Sequence, residues 1–67
     1  MSNIMIERLK NSIGKEIKVY LHNGFKYAGE LKAVDNENIE ILDHKLNAYK
    51  IIRIETIRDL EVQNDGN

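Results

Sequence analysis

Residues 17–31 read Ile17-Lys-Val-Tyr-Leu-His-Asn-Gly-Phe-Lys-Tyr-Ala-Gly-Glu-Leu31, and this stretch decides the fold. Ile17, Val19 and Leu21 alternate with Lys18, Tyr20 and His22. A period of two is that of a strand with one face buried. Asn23-Gly24 follows, the strongest short-range hairpin signal, because both central positions of a type I′ turn need positive φ. The returning strand is expected to start at Phe25 and run to about Val34, with Phe25, Tyr27, Leu31 and Ala33 on one face and Gly29 between them. A glycine inside so long a strand marks a bend or bulge, which lets one strand serve both sides of a small barrel.

Upstream, Met5, Ile6, Leu9 and Ile13 recur at helical spacing, with Ser2 or Asn3 as N-cap and Gly14 as the stop. Downstream, Asp35-Asn36-Glu37-Asn38 reads as a turn, Ile39 to Leu42 as a third strand and Asp43-His44-Lys45 as another turn. Leu46 to Arg53 reads as a fourth strand and Thr56 to Leu60 as a short fifth. The expected fold is mainly β: an N-terminal α-helix followed by a strongly bent five-stranded antiparallel sheet forming a small open barrel. One domain over residues 1–62 and a disordered tail over 63–67 are expected, the tail because it lacks apolar residues. Such a sheet has two free edges, and free edges pair with other chains. Edge-to-opposite-edge contact is heterologous and closes into a ring when the rotation permits.

Sixty-seven residues are close to the size below which a core alone barely offsets chain entropy, and subunit association relieves that shortage. The chain has no cysteine, so neither a disulfide nor a thiolate metal site contributes. His22 and His44 cannot make a metal site alone, and neither a metal nor another cofactor is expected. No basic segment leads into an apolar run with a small-residue cleavage site, and no stretch is apolar over bilayer length. The chain is therefore read as soluble and cytoplasmic, without a membrane partner. The formal net charge of -1 hides an asymmetry: residues 14–32 carry +2 and residues 55–67 carry -3. Without a general positive field, nucleic-acid affinity has to come from local sites repeated by symmetry, which disfavours duplex DNA.

The stretch from Ile17 to Leu31, with Val34-Asp35 after it, resembles the first motif of the Sm, Lsm and Hfq superfamily, in which an Asn-Gly turn, an inner glycine and an aspartate stand at fixed offsets. Arg53-Ile54-Glu55-Thr56-Ile57, followed by Leu60, resembles the second. The likeness covers about residues 14–62 and implies an Sm-like, SH3-like barrel assembled into homo-hexameric or homo-heptameric rings. It also implies binding of single-stranded U-rich or A-rich RNA as a scaffold or chaperone. By that resemblance Asn38 and Arg53 match the pore-side groups that bond and hold uridine, Asp35 matches the aspartate that orients the asparagine, and Asn36 shares their loop. On the opposite face Tyr20, Gly24, Phe25 and Tyr27 match positions that in Hfq form purine pockets between neighbouring subunits, with Lys18 and Lys26 near enough for phosphates. The chain also departs from the pattern. Glu37 stands where an aromatic residue or histidine usually stacks, Ile54 replaces the glycine after the arginine, and Lys50 is followed by Ile51 and Ile52 rather than by a lysine-histidine pair.

Read as residues alone, Asn38 is a turn residue and Arg53 a solvated or paired charge. Asp35 ties its loop together, and Tyr20 and Tyr27 are half-exposed strand residues favoured by β propensity. Phe25 either covers the core or stacks on a base. His22 and His44 read as turn and surface residues, and Glu37, Glu40 and Asp43 as a solvated acidic edge. No nucleophile stands beside a base, so no enzyme is expected. The leading functional reading is an RNA-binding ring. The alternative is a structural or protein-interaction ring module with little RNA affinity.

Overall fold

The computed structural model describes residues 4–63. The expected caps Ser2 and Asn3, and positions 64–67 of the expected tail, lie outside them. Helix α1 (Ile4–Lys10) is followed by β1 (Glu16–Leu21), β2 (Lys26–Val34), β3 (Asn38–Asp43) and β4 (Ala48–Arg53). A 3-10 turn (Ile54–Thr56) then leads into β5 (Ile57–Val62). The strands form one antiparallel sheet in the order β4-β3-β2-β1-β5, so β4 and β5 are its edges and the barrel is open.

Every element contributes to one core. Leu9 from α1, Ile17, Val19 and Leu21 from β1, Leu31 from β2, Ile39 and Ile41 from β3, Ile52 from β4 and Ile57 from β5 are all buried. At about 1.5–3 kcal/mol for each fully buried aliphatic side chain, this cluster is the main stabilising term. The alternation expected for β1 holds residue by residue. The helix ends at Lys10, earlier than the spacing predicts, and Ile13 is exposed rather than on its apolar face. The chain leaves the helical path at Ser12, whose buried hydroxyl donates to the Arg8 carbonyl at 2.6 Å. Gly14 does end the segment, at φ 93°. Its N–H donates to the Leu31 carbonyl at 2.8 Å, and the Leu31 N–H donates to the Lys15 carbonyl at 2.9 Å, stitching the connection between α1 and β1 to β2.

The β1–β2 hairpin stands where Asn23-Gly24 places it, but it is not type I′. Only Gly24 has positive φ (93°), and its N–H donates to the Leu21 carbonyl at 3.0 Å. Asn23 instead uses its side chain, accepting the Phe25 N–H at Oδ1. A tight turn followed by a left-handed glycine is the three-residue hairpin loop. Phe25 closes the loop, its carbonyl accepting the Leu21 N–H at 2.8 Å, and its side chain is exposed, not on the core face.

Strand β2 does serve both sides of the barrel: residues 26–30 pair with β1 and residues 30–34 with β3. The irregularity lies between Leu31 and Ala33 rather than at Gly29. The extra residue there reverses the alternation, so Ala33 is exposed and Val34 turns toward the core, the opposite of the sequence expectation. Gly29 has another task. A Cβ on it would run into the Leu42 carbonyl and the Ile41 side chain, so the missing side chain lets β3 pass close over β2.

Strand β4 begins at Ala48, not Leu46. Asp43 accepts the N–H groups of Lys45 and Leu46 at one carboxylate oxygen (2.9 and 3.2 Å), and this draws Leu46 into the turn, exposed. Asn47, at φ 51°, brings the chain back into the ladder. His44 at this turn reaches across to Glu16 (3.2 Å) and Glu30 (3.7 Å), two carboxylates that face each other across the β1–β2 pair.

Candidate nucleic-acid interface

The β2–β3 turn is held by its aspartate. Asp35 Oδ1 accepts the N–H groups of Glu37 and Asn38, both at 2.7 Å, and the Asp35 N–H donates to the Asn38 carbonyl at 2.9 Å. The two N–H groups on the ionised carboxylate hold its pKa below the ordinary value, so the turn is locked at neutral pH. Asn36 sits at the exposed tip. Asn38 emerges from the turn as the first residue of β3, half-buried and directly opposite Arg53, the last residue of β4. Residues directly opposite in an antiparallel pair share a face. The ladder thus brings together the asparagine and arginine that the sequence singles out fifteen residues apart.

A second link fixes the pair. The Ile54 N–H donates to the Glu37 carbonyl at 2.8 Å, and Thr56 Oγ1 donates to the Arg53 carbonyl at 2.7 Å, joining the turn to the exit of β4. Ile54 packs against the core without positive φ, so the backbone at that point has no need of glycine. Arg53 is exposed and pairs with Glu55 at 2.9 Å. An exposed pair of this kind is worth little and yields easily to a ligand. Beside Asn38 lies a cavity of about 270 Å³ lined by Ala33, Val34, Asp35, Ile39, Glu40 and Ile51. Sequence reasoning missed Ile51 here. It lies two residues from Arg53 on the same side of β4, opposite Glu40, and is 70% exposed. Its position beside Asn38 follows from register, which the apolar pair Ile51-Ile52 does not reveal.

The residues expected on the other face do not all share a face within one chain. Tyr27 pairs with Val19 and lies on the core side of β2, half-buried, with Lys50 Nζ 4.7 Å from its ring centre and 3.4 Å from Asp43. Tyr20 projects from the reverse side of β1, directly opposite Lys26 on β2. Phe25 and Gly24 stand between them at the hairpin, both exposed. The structure thus brings Tyr20 to Lys26 and Tyr27 to Lys50, and it keeps the two tyrosines on opposite sides of the sheet. The Tyr20 hydroxyl is held above its ordinary pKa by partial burial and then by the carboxylates of Glu61 and Asp59 on β5, Glu61 within hydrogen-bonding reach. Among the described residues no helix is long and apolar enough to cross a membrane.

No protein-family model matches the chain, and no curated protein does either. Among solved structures, the crystal structure of the pleiotropic translational regulator Hfq is similar to it, with a TM-score of 0.76 at 22% sequence identity. The match covers 87% of this chain and 97% of that one. A likeness over nearly both whole chains shows an Hfq-like, Sm-type fold.

Proposed function

We propose that this chain, built on an Hfq-like fold, is a non-catalytic RNA-binding protein that works as a homo-oligomeric ring of six or seven copies. The observation that carries the reading is the pairing of Asn38 with Arg53 on one face, fixed by the Asp35 turn. An amide that both donates and accepts hydrogen bonds stands beside an exposed guanidinium, which suits an unstacked base and its phosphate. The adjoining cavity with Ile51 supplies apolar surface where the usual stacking ring is replaced by Glu37. Asp35 positions the asparagine, and Asn36 offers a further polar group at the rim. On the hairpin side, Tyr20, Phe25 and Tyr27, with Lys26, offer stacking surface and cation.

Assembly is supported by the sheet's borders. Strands β4 and β5 each have one neighbour only, and β4 exposes Tyr49 and Ile51 along its length. An uncapped strand edge carrying large apolar side chains favours pairing with another chain. Pairing β4 of one copy with β5 of the next leaves no free border once the ring closes. Repetition around an axis converts a weak single site into useful affinity.

Two measurements test the proposal together. Size-exclusion chromatography with light scattering gives six or seven times the subunit mass of 7.8 kDa. Titration with labelled oligo-U and oligo-A at two salt concentrations shows salt-sensitive binding, and Arg53→Ala and Asn38→Ala remove the oligo-U part. A monomer at micromolar concentration that binds neither oligonucleotide refutes it.

A further inference from the structure

The sheet register gathers an unusual set of groups on the reverse face of β1. Lys18 stands opposite Glu61 of β5 on one side and Ala28 of β2 on the other, and Tyr20 stands opposite Asp59 and Lys26. Alternation along β1 puts Lys18 and Tyr20 on the same side, away from Ile17, Val19 and Leu21, so all of these side chains share one surface. A half-buried aromatic ring therefore lies between two exposed lysines and two carboxylates. Neither lysine makes an ion pair among the described residues.

A tyrosine with lysines alone stacks any base, because every base has a π-face. The carboxylates change that. A carboxylate only accepts hydrogen bonds, so it favours a base edge that presents donors and penalises one that presents carbonyl oxygens. Uracil offers a single N–H between two carbonyls, and adenine and cytosine each offer an amino group beside an unprotonated ring nitrogen. Guanine alone presents two adjacent donors, N1–H and the N2 amino group, at the spacing of the two oxygens of a carboxylate.

The two acids are not equivalent. Asp59 Oδ1 already accepts the N–H of Leu60 at 3.1 Å. Glu61 stands diagonally across from Tyr20 on the same face, near enough for its charge to bear on the phenol, and keeps its acceptor capacity for a ligand.

We propose that this surface is a guanine-selective nucleotide site, in which the base stacks on Tyr20, Glu61 accepts from N1–H and the N2 amino group, and Lys18 and Lys26 meet the flanking phosphates. The inference rests on the RNA-binding reading and deepens it. It assigns the reverse face of the sheet a base preference of its own, different from the U-rich or A-rich RNA expected from the sequence, and names Glu61 as the residue that sets it.

Fluorescence anisotropy on the full chain, with labelled uridine pentamers carrying guanosine, inosine, adenosine or uridine at the centre, tests it. Guanosine binds about tenfold more tightly than uridine, the scale of one good two-bond base contact, and inosine, which keeps N1–H but lacks the amino group, falls between. Glu61→Gln, an isosteric change at an exposed position, brings guanosine to within about twofold of uridine without weakening uridine, since the repelled carbonyls gain a donor. Tyr20→Phe keeps the ring, removes the hydroxyl beside Glu61 and lowers the ratio of guanosine to uridine affinity, whereas Tyr20→Ala weakens all four pentamers. Equal binding of the four pentamers, or a guanosine preference untouched by Glu61→Gln, overturns the guanine site while leaving the RNA reading standing. Absence of binding to all four overturns both.

Discussion

Replacing Gly29 with alanine adds one methyl group at the point where β3 crosses β2. Gly29 is not among the positive-φ residues, so alanine meets no backbone obstacle there. On conformational grounds alone the change stabilises by about 0.4–1 kcal/mol, by restricting the unfolded chain. Against this, the new Cβ meets the Leu42 carbonyl group and lies 2.5 Å from Ile41 Cγ2. Overpacking of this kind costs about 1–3 kcal/mol. The cost falls at the upper end because Leu42 contributes backbone of a paired strand, which cannot turn aside as a side chain can. The net loss is about 2 kcal/mol. With a urea dependence near 1 kcal/mol per molar for so small a domain, the midpoint drops by about 2 M. The melting temperature drops by about 10 °C. Both chains are compared at one protein concentration, since any association would shift either midpoint. A midpoint unchanged or raised by the substitution shows that β2 and β3 are not in close approach at Gly29, and the explanation given for this glycine is then wrong.

Other outcomes follow from the same reasoning. Leu31→Ala, at a fully buried position, lowers stability by about 2–5 kcal/mol in chemical denaturation, and a loss under 1 kcal/mol contradicts its place in the core. Gly24→Ala forces a side chain into φ 93° and costs about 1–3 kcal/mol, measured the same way. Asp35 has a folded pKa below its unfolded 3.8, so its contribution is complete above that value and is lost as pH falls through the lower folded value. The acid limb of stability against pH is therefore less steep in Asp35→Ala, and coincident limbs would show that the turn hydrogen bonds do not form. Tyr27→Ala weakens oligo-A binding in a titration and leaves oligo-U unchanged, whereas parallel losses in both would mean a general structural defect.

Much of this architecture could be read from residue order because single positions carry strong local preferences. Ile17, Val19 and Leu21 are too apolar to face water, which fixes the face of β1, and Gly14 and Gly24 stand where left-handed backbone is required. Where the preference is weak, the larger structure decided. Leu31-Lys32-Ala33-Val34 fits either side of a strand. Val34 buries more apolar surface than Ala33, and its partner Ile39 belongs to the core, so the bulge forms and Val34 turns inward. Leu46 looks like a strand residue until the Asp43 carboxylate claims its N–H. The candidate site shows the same division. Asp35 announces its turn, but the meeting of Asn38 with Arg53 depends on the length of the β3–β4 turn and on Asn47 adopting positive φ. The separation of Tyr20 from Tyr27 follows from pairing Val19 with Tyr27, a register that the three-residue hairpin loop sets and a two-residue loop would not.

The hydrogen bond from Ile54 to Glu37 fastens the end of the β2–β3 turn to the residue that follows β4, one step beyond the rung at which Asn38 meets Arg53. With it, the backbone that carries the amide of Asn38 and the guanidinium of Arg53 is tied at two successive positions rather than one. A ligand caught by either group meets the other already in place, and little ordering entropy remains to be lost on capture. Weak individual contacts made at such a pair can then add up with little loss.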